Sequence, residues 1–239
     1  MTEGIANTAQ HEYWNTVAGP RWVGLGGFVE RRVQAVNDLL LARSAVAASE
    51  SVLEIGCGTG AATVPFAQAV GARGRVVGVD ISEPMLAGAR QRIAESGLRN
   101  VTLLKADAQV HRFEAARFDL ITSRFGVMFF ADPFAAFANL LPAARTGGRL
   151  CFACWGPLEE NRHWLIPYEV ALRGIWELRR RRLPARRAPW RLAIRIMCVR
   201  SSKTPGSPMS GSTAKHQTSS ARPPRRRPNT PASWALLPD

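Results

Sequence analysis

The run Val52-Leu53-Glu54-Ile55-Gly56-Cys57-Gly58-Thr59-Gly60 constrains this chain more than any other stretch. Ser51–Ile55 is an apolar segment of strand length, and it feeds three glycines at alternate positions. Glycine combines a tight turn with a bare backbone that a ligand can approach closely. Ala61–Val70 has the composition of a helix, so the expected unit is strand, glycine-rich turn, helix.

The same alternation continues. Arg75–Asp80 reads as a second strand after the Gly71–Gly74 turn. Ser82 is placed to cap a helix whose stripe is Leu86, Ala89 and Ile93, with Gly97 as its left-handed stop. Val101–Leu104, Phe118–Ser123 and Arg149–Trp155 read as further strands, and Asp132-Pro133 opens a helix between the last two. Upstream, Phe28–Val46 carries Val33, Val36 and Leu40 at helical spacing. A last helix is expected within Asn161–Arg173, with Pro167 at its start or at a kink. Alternating strands and helices predict an α/β fold with a doubly wound, mostly parallel sheet. In such sheets ligands bind beyond the carboxyl ends of the strands, where the strand order reverses.

Charge divides the chain. The formal net charge is +14, but residues 1–173 hold 17 Lys/Arg against 16 Asp/Glu, whereas residues 174–239 hold 15 against 2. Three segments follow: an N-terminal helical cap (1–50), the sheet domain (51–173) and a basic tail of low order (174–239). With 46% hydrophobic and 21% charged residues, wholesale disorder is excluded. No apolar run approaches the roughly 20 residues of a membrane span, and the first ten residues carry no signal-peptide core. Four cysteines are too few for a disulfide scaffold, so the expected compartment is the reducing cytoplasm.

Asp80 ends the second strand 20 residues after Gly60, where a carboxylate can accept both hydroxyls of a ribose. Asp107 follows the third strand within Ala106-Asp107-Ala108, placed to accept from an adenine amino group. Either alone is an ordinary strand-end or turn aspartate; together with the glycines they make an adenosine site. A dinucleotide turn usually spaces its glycines G-x-G-x-x-G and offers amides to a pyrophosphate. Here the spacing is Gly56-x-Gly58-x-Gly60, with Glu54 just before it. A carboxylate facing the turn repels pyrophosphate and attracts an ammonium group, which favours S-adenosylmethionine over NAD.

These elements resemble the class I S-adenosylmethionine-dependent methyltransferases. The resemblance rests on Val52–Gly60, Gly78-Val79-Asp80-Ile81, Ala106-Asp107-Ala108, Phe118-Asp119-Leu120 and Thr146–Leu150. Arg124–Pro133 and Glu12-Tyr13-Trp14-Asn15 are similar to the small-molecule branch near the ubiquinone/menaquinone-biosynthesis methyltransferases. It covers about residues 11–173. It implies that Gly56, Gly58 and Gly60 line the methionine moiety and that Glu54 bonds indirectly to its ammonium. It further implies that Asp80 holds the ribose, that Ile81 and Met85 pack on the adenine, and that Asp107 with the Ala108 backbone reads the adenine edge. Ser123 and Arg124, ending the fourth strand, fall where this family lines the methyl-transfer site.

The implied reaction is an in-line displacement at the sulfonium methyl onto a small-molecule acceptor, with positioning as a main source of rate. No general base is assigned. His111 and His163 qualify by residue type alone. Cys151 and Cys154 fall on opposite faces of one strand and so read as buried strand residues rather than metal ligands.

From about residue 174 the resemblance stops, and no strand or helix period is sustained. The family continues with two more strands, one antiparallel beside the fifth, so the fifth strand is expected to be a bare edge. Read two nucleotides later, permitted codons for Ala193–Val199 give Asp-Pro-Asp-Tyr-Val-Arg, and those for Thr204–Ser210 give Ala-Gly-Phe-Ala-Asp-Val. One fixed offset serves both stretches, which points to out-of-frame translation of a methyltransferase gene. The other reading is a genuine basic tail on a non-catalytic S-adenosylmethionine- or polyanion-binding protein. No recognised nucleic-acid module is present.

Overall fold

The computed structural model describes residues 4–156, 160–161 and 194–200. Three helices open the described chain: α1 (Thr8–Thr16), α2 (Ala18–Leu25) and α3 (Gly27–Ser44). They are followed by β1 (Ser51–Ile55), α4 (Thr63–Val70), β2 (Arg75–Asp80), α5 (Glu83–Ser96), β3 (Val101–Lys105) and β4 (Phe118–Arg124). A 3₁₀ turn (Gly126–Phe129), α6 (Pro133–Leu140), β5 (Ala144–Trp155) and β6 (Ile194–Arg200) complete the order.

The strands form one sheet in the order β3-β2-β1-β4-β5-β6. β1 lies parallel between β2 and β4, with Leu53 opposite Val77 on one side and Ile121 on the other. The order therefore reverses between β1 and β4, and a ligand cleft is expected at their carboxyl ends. Period-two alternation sends neighbouring residues to opposite faces. Val52, Leu120 and Cys151 pack with Val36 and Leu40 of α3 and Phe66 of α4. Leu53, Ile121 and Leu150 pack with Leu140 of α6 on the other face. The doubly wound α/β expectation stands.

Local chemistry sets the element ends. The Ser82 hydroxyl accepts from Met85 N, and α5 stops at left-handed Gly97. Asp132 caps α6 through Ala135 N, with Pro133 in its first turn. α3 stops at Ser44, short of the expected Val46, because Ala45 turns left-handed. β5 starts five residues before the expected Arg149. Its pairing with β4 jumps from Phe118↔Ala144 to Leu120↔Arg149, so the residues around Gly147 and Gly148 bulge out without ending the strand.

The basic segment requires two corrections. β5 is not a bare edge, because Ile194–Arg200 pairs antiparallel along it from Arg149 to Trp155. Ile194 is buried and Ile196 packs on the α3-side core, alternating with Arg195, which pairs with Glu160. A period of two is thus present in a stretch where none was expected. Cys198 also lies opposite Cys151 and is disulfide-bonded to it, which a count of four cysteines did not anticipate. The helix expected within Asn161–Arg173 and the rest of the tail lie outside the described residues. Among the described residues no helix is long and apolar enough to cross a membrane.

Candidate functional site

The glycine turn leaves β1 with Gly56, Gly58 and Gly60 all at positive φ. Gly56 and Cys57 donate their amides to Val79 O of β2, at 2.8 and 3.0 Å. A Cβ on Gly56 would stand 2.7 Å from the Cα of Gly126, which follows β4. Two backbones therefore cross in contact where the strand order reverses, and only glycines permit it. Gly60 faces away from this crossing, against Ala89 of α5.

Beneath the turn, Glu54 is 1% exposed and accepts a 2.6 Å bond from Thr63 Oγ1. Burial pushes its carboxyl up to about 7, against the opposing pull of Thr63 and of the Arg124 guanidinium. Arg124, at the end of β4, donates to Asn37 Oδ1 of α3 at 3.0 Å. Burial lowers its pKa, and the carboxylates of Glu54 and Glu30 counter that effect. Glu30 in turn accepts from Thr59 Oγ1 and from Arg92, tying α3 to the turn and to α5.

Asp80 ends β2 with its carboxylate held by two amides: Gly58 N to Oδ2 at 2.8 Å and Ser82 N to Oδ1 at 2.9 Å. An ionised carboxylate offers about four acceptor positions, so about two stay open. Burial raises its pKa and these amides oppose the shift. Asp107, after β3, is 6% exposed and accepts from Asn7 Nδ2 and the amides of Ala6, Asn7 and Gln109.

A cavity of about 1050 Å³ opens over these strand ends. Of the expected residues, Gly56, Gly58, Asp80, Ile81, Met85, Asp107, Ala108 and Arg124 line it. Glu54 lies behind the turn and Gly60 against α5, so neither faces the cavity. The far walls are residues the sequence left unassigned: Trp14, Trp22, Val29, Arg32, Phe129 and Trp155. Phe125 joins them with a left-handed φ of 69°, a strained backbone for a bulky residue, and stacks on Trp155 with ring centroids 4.7 Å apart. The sequence signals for this wall were the small-molecule-branch segments Glu12–Asn15 and Arg124–Pro133, which carry Trp14, Phe125 and Phe129.

Other candidates fall elsewhere. Ser123 donates to Ile55 O and accepts from Val127 N, so it braces β1 against the 3₁₀ turn. His111 packs edge-on against Phe113 and does not line the cavity. His163 lies outside the described residues. Cys151 and Cys154 pack on opposite faces of β5, as expected, and no metal-binding cluster occurs among the described residues.

A glycine turn and two strand-end carboxylates around a cleft at the switch point of a doubly wound sheet define a class of fold, and the comparisons name it. Residues 52–148 match the family model described as "Methyltransferase domain". Aklanonic acid methyltransferase DauC of Streptomyces sp. (strain C5) is 42% identical over 103 residues, 43% of this chain and 47% of that protein. Ubiquinone/menaquinone biosynthesis C-methyltransferase UbiE of Marinomonas sp. (strain MWYL1) is 37% identical over 111 residues, 46% of this chain and 44% of that protein. A chain from the complex of the Haloferax volcanii Trm112 methyltransferase activator with a methyltransferase shares the fold. It superposes with a TM-score of 0.52 at 23% identity, covering 67% of this chain and 66% of that one.

The chain therefore carries a class I S-adenosylmethionine-dependent methyltransferase domain. It spans less than half the length of these two curated relatives.

Proposed function

We propose that the protein transfers a methyl group from S-adenosylmethionine to a small, flat, apolar acceptor. The observation that carries this reading is Asp80, whose carboxylate is aimed by two amides yet keeps about two acceptor positions for a vicinal diol. The other residues fit the same group. Gly58 turns with a φ of 57°, which favours glycine, and its bare backbone lines the cavity beside Met85. Glu54 supplies negative charge behind the turn for an ammonium, and Arg124 supplies positive charge across it for a carboxylate. Bound there, S-adenosylmethionine supplies an electrophilic methyl on a sulfonium.

The chain's own part is orientation and exclusion of water. Pockets for one ligand run to about 1,000 Å³, and this cavity of about 1050 Å³ has room for a cofactor and a second small molecule. Stacked Phe125 and Trp155, with Trp22 and Phe129, favour a planar acceptor. Among the described lining residues the carboxylates are Asp80 and Asp107, both tied to amides, and there is no histidine, lysine or tyrosine. Arg32 and Arg124 add positive charge. Such walls suit an acceptor that carries an acidic, readily ionised nucleophile and needs no protein base.

The test is label transfer from methyl-tritiated S-adenosylmethionine to a panel of naphthols and naphthoic acids. Transfer supports the reading. Binding of S-adenosylhomocysteine with no transfer favours a non-catalytic binder, and tighter binding of NADH overturns the cofactor assignment. For residues 174–239 we infer out-of-frame translation, against which the pairing of Ile194–Arg200 along β5 weighs; resequencing the coding region near codon 174 tests it. Their charge supports a second reading, salt-sensitive polyanion binding, which fails if DNA affinity survives removal of residues 174–239.

A further inference from the structure

Asp80 and Asp107 look alike in the sequence, each following a strand of the same half-sheet, but their carboxylates are differently engaged. Asp80 keeps about two open acceptor positions. Asp107 keeps none. Its Oδ1 accepts from Asn7 Nδ2 at 2.6 Å and Gln109 N at 3.0 Å. Its Oδ2 accepts from Ala6 N at 2.9 Å and Asn7 N at 2.8 Å. Three of the four donors come from the N-terminal segment. An adenine amino group would find every position on this carboxylate taken.

Asn7 is 6% exposed, lines the cavity and directly precedes α1. Its Oδ1 also accepts from Ala131 N, after the 3₁₀ turn. The far end of α1 is fastened to the end of β2. Asn15 donates to Ile81 O and accepts from Glu83 N, and the Ser82 hydroxyl donates to Trp14 O. Between these fastenings α1 buries no residue. It therefore lies across the adenosine half of the cleft held by polar bonds at its two ends and by half-buried Trp14, which packs edge-on against Trp22 and Phe129. An element with no fully buried residue is of the kind that opens locally. The cavity of about 1050 Å³ persists with α1 in place, so the helix roofs the space and does not fill it.

We propose that α1 is a cover over the cofactor, that Asn7 is its latch, and that Asp107 is a positioning residue holding this latch in place of an acceptor for the adenine amine. This rests on the reading that the cavity takes S-adenosylmethionine. The cover must open for the ligand to enter and leave, so weakening the latch speeds release. Asn7 and Asp107 act through one another, so their effects do not add.

The test is stopped-flow tryptophan fluorescence on the full chain, since Trp14 and Trp22 line the cavity. The ligands are S-adenosylhomocysteine and S-inosylhomocysteine, which carries a carbonyl in place of the amine. Asn7→Ala and Asp107→Asn should each raise the S-adenosylhomocysteine dissociation rate about tenfold, the scale of one or two buried hydrogen bonds. The double variant should dissociate no faster than either single one. Wild type should bind the two ligands within about threefold of each other, because an unread amine leaves no partner unpaired. The proposal is overturned if Asn7→Ala leaves the dissociation rate unchanged. It is also overturned if Asp107→Asn weakens S-adenosylhomocysteine alone, since the carboxylate would then be reading the amine. Asn7→Ala lies outside the sheet and serves even where Asp107→Asn does not fold. Failure of both ligands to bind wild type would instead sink the cofactor reading, and the latch with it.

Discussion

Glu54→Gln separates a cofactor group from a core group, because the structure places Glu54 at a pH-dependent cost to the fold. In the unfolded chain its carboxyl ionises near the ordinary 4.5, whereas in the folded protein burial holds it near about 7. Between those values the folded state keeps a proton that the unfolded state has lost. Stability therefore falls as pH rises from about 4.5 to 7 and is level above that. At about 1.4 kcal/mol per pH unit, the gap between 4.5 and about 7 amounts to about 3 kcal/mol. Asp80 shifts in the same direction but is present in both proteins, so it largely cancels in the difference. Glutamine keeps an oxygen for the Thr63 hydroxyl, so the local bond survives the change.

The assay is urea unfolding of wild type and Glu54→Gln at several pH values from 5 to 8. Near pH 5 the variant should lead by only about 1 kcal/mol, since Glu54 is still protonated in the fold and resembles glutamine. By pH 8 the variant should be more stable by about 3 kcal/mol. A stability difference that stays constant across this range would refute the assigned burial and charge of Glu54. Saturating S-adenosylhomocysteine should shrink the difference, because its ammonium favours the ionised carboxylate that glutamine cannot supply.

Asp80→Ala should weaken S-adenosylhomocysteine binding by about 1–3 kcal/mol in calorimetry, the cost of unpairing buried polar groups; unchanged affinity would remove Asp80 from the site. Gly126→Ala would put a Cβ 2.6 Å from Ile55 O and 2.8 Å from Gly56 Cα, so stability should drop by about 1–3 kcal/mol and ligand affinity should fall with it. Gly97→Ala, left-handed but with nothing within 4 Å, should cost about 1 kcal/mol in urea unfolding and leave affinity unchanged. Arg149→Met should destabilise by about 1–2 kcal/mol, the pair being only partly buried, without touching ligand affinity. Its guanidinium holds both Glu50 oxygens and the carbonyls of Ser44 and Ala45, clear of the cavity.

Much of the sheet was legible because its signals are local. Ser51–Ile55 runs into Gly56 and Arg75–Asp80 follows Gly74, and Ser82, Gly97 and Asp132 announce helix ends by their own chemistry. β5 starts earlier than the expected Arg149 because its pairing with β4 carries the strand back through the bulge at Gly147 and Gly148 to Ala144. β6 was missed for a related reason. In Ile194–Arg200 only Ile194 and Ile196 mark the inner face, and arginines on either side hide a pattern that a partner strand makes decisive. α1 was invisible to periodicity since it buries nothing.

The cofactor half of the site follows the same division. Gly56, Gly58 and Asp80 lie within or at the ends of two neighbouring strands, so spacing alone brings them together. The acceptor walls come from α1, α2, α3, the turn after β4 and the end of β5, segments spread from Trp14 to Trp155. Their residues are generic aromatics and aliphatics that any core might use, so acceptor choice leaves little local trace. Asp107 lies between these cases. By strand-end position it matches Asp80, and sequence logic gives both the same kind of task. What separates them is a pair of residues about a hundred positions upstream, Ala6 and Asn7, whose donors complete the Asp107 carboxylate and leave that of Asp80 open. A local motif can thus specify where a carboxylate stands, while long-range pairing decides whether it is free to meet a ligand.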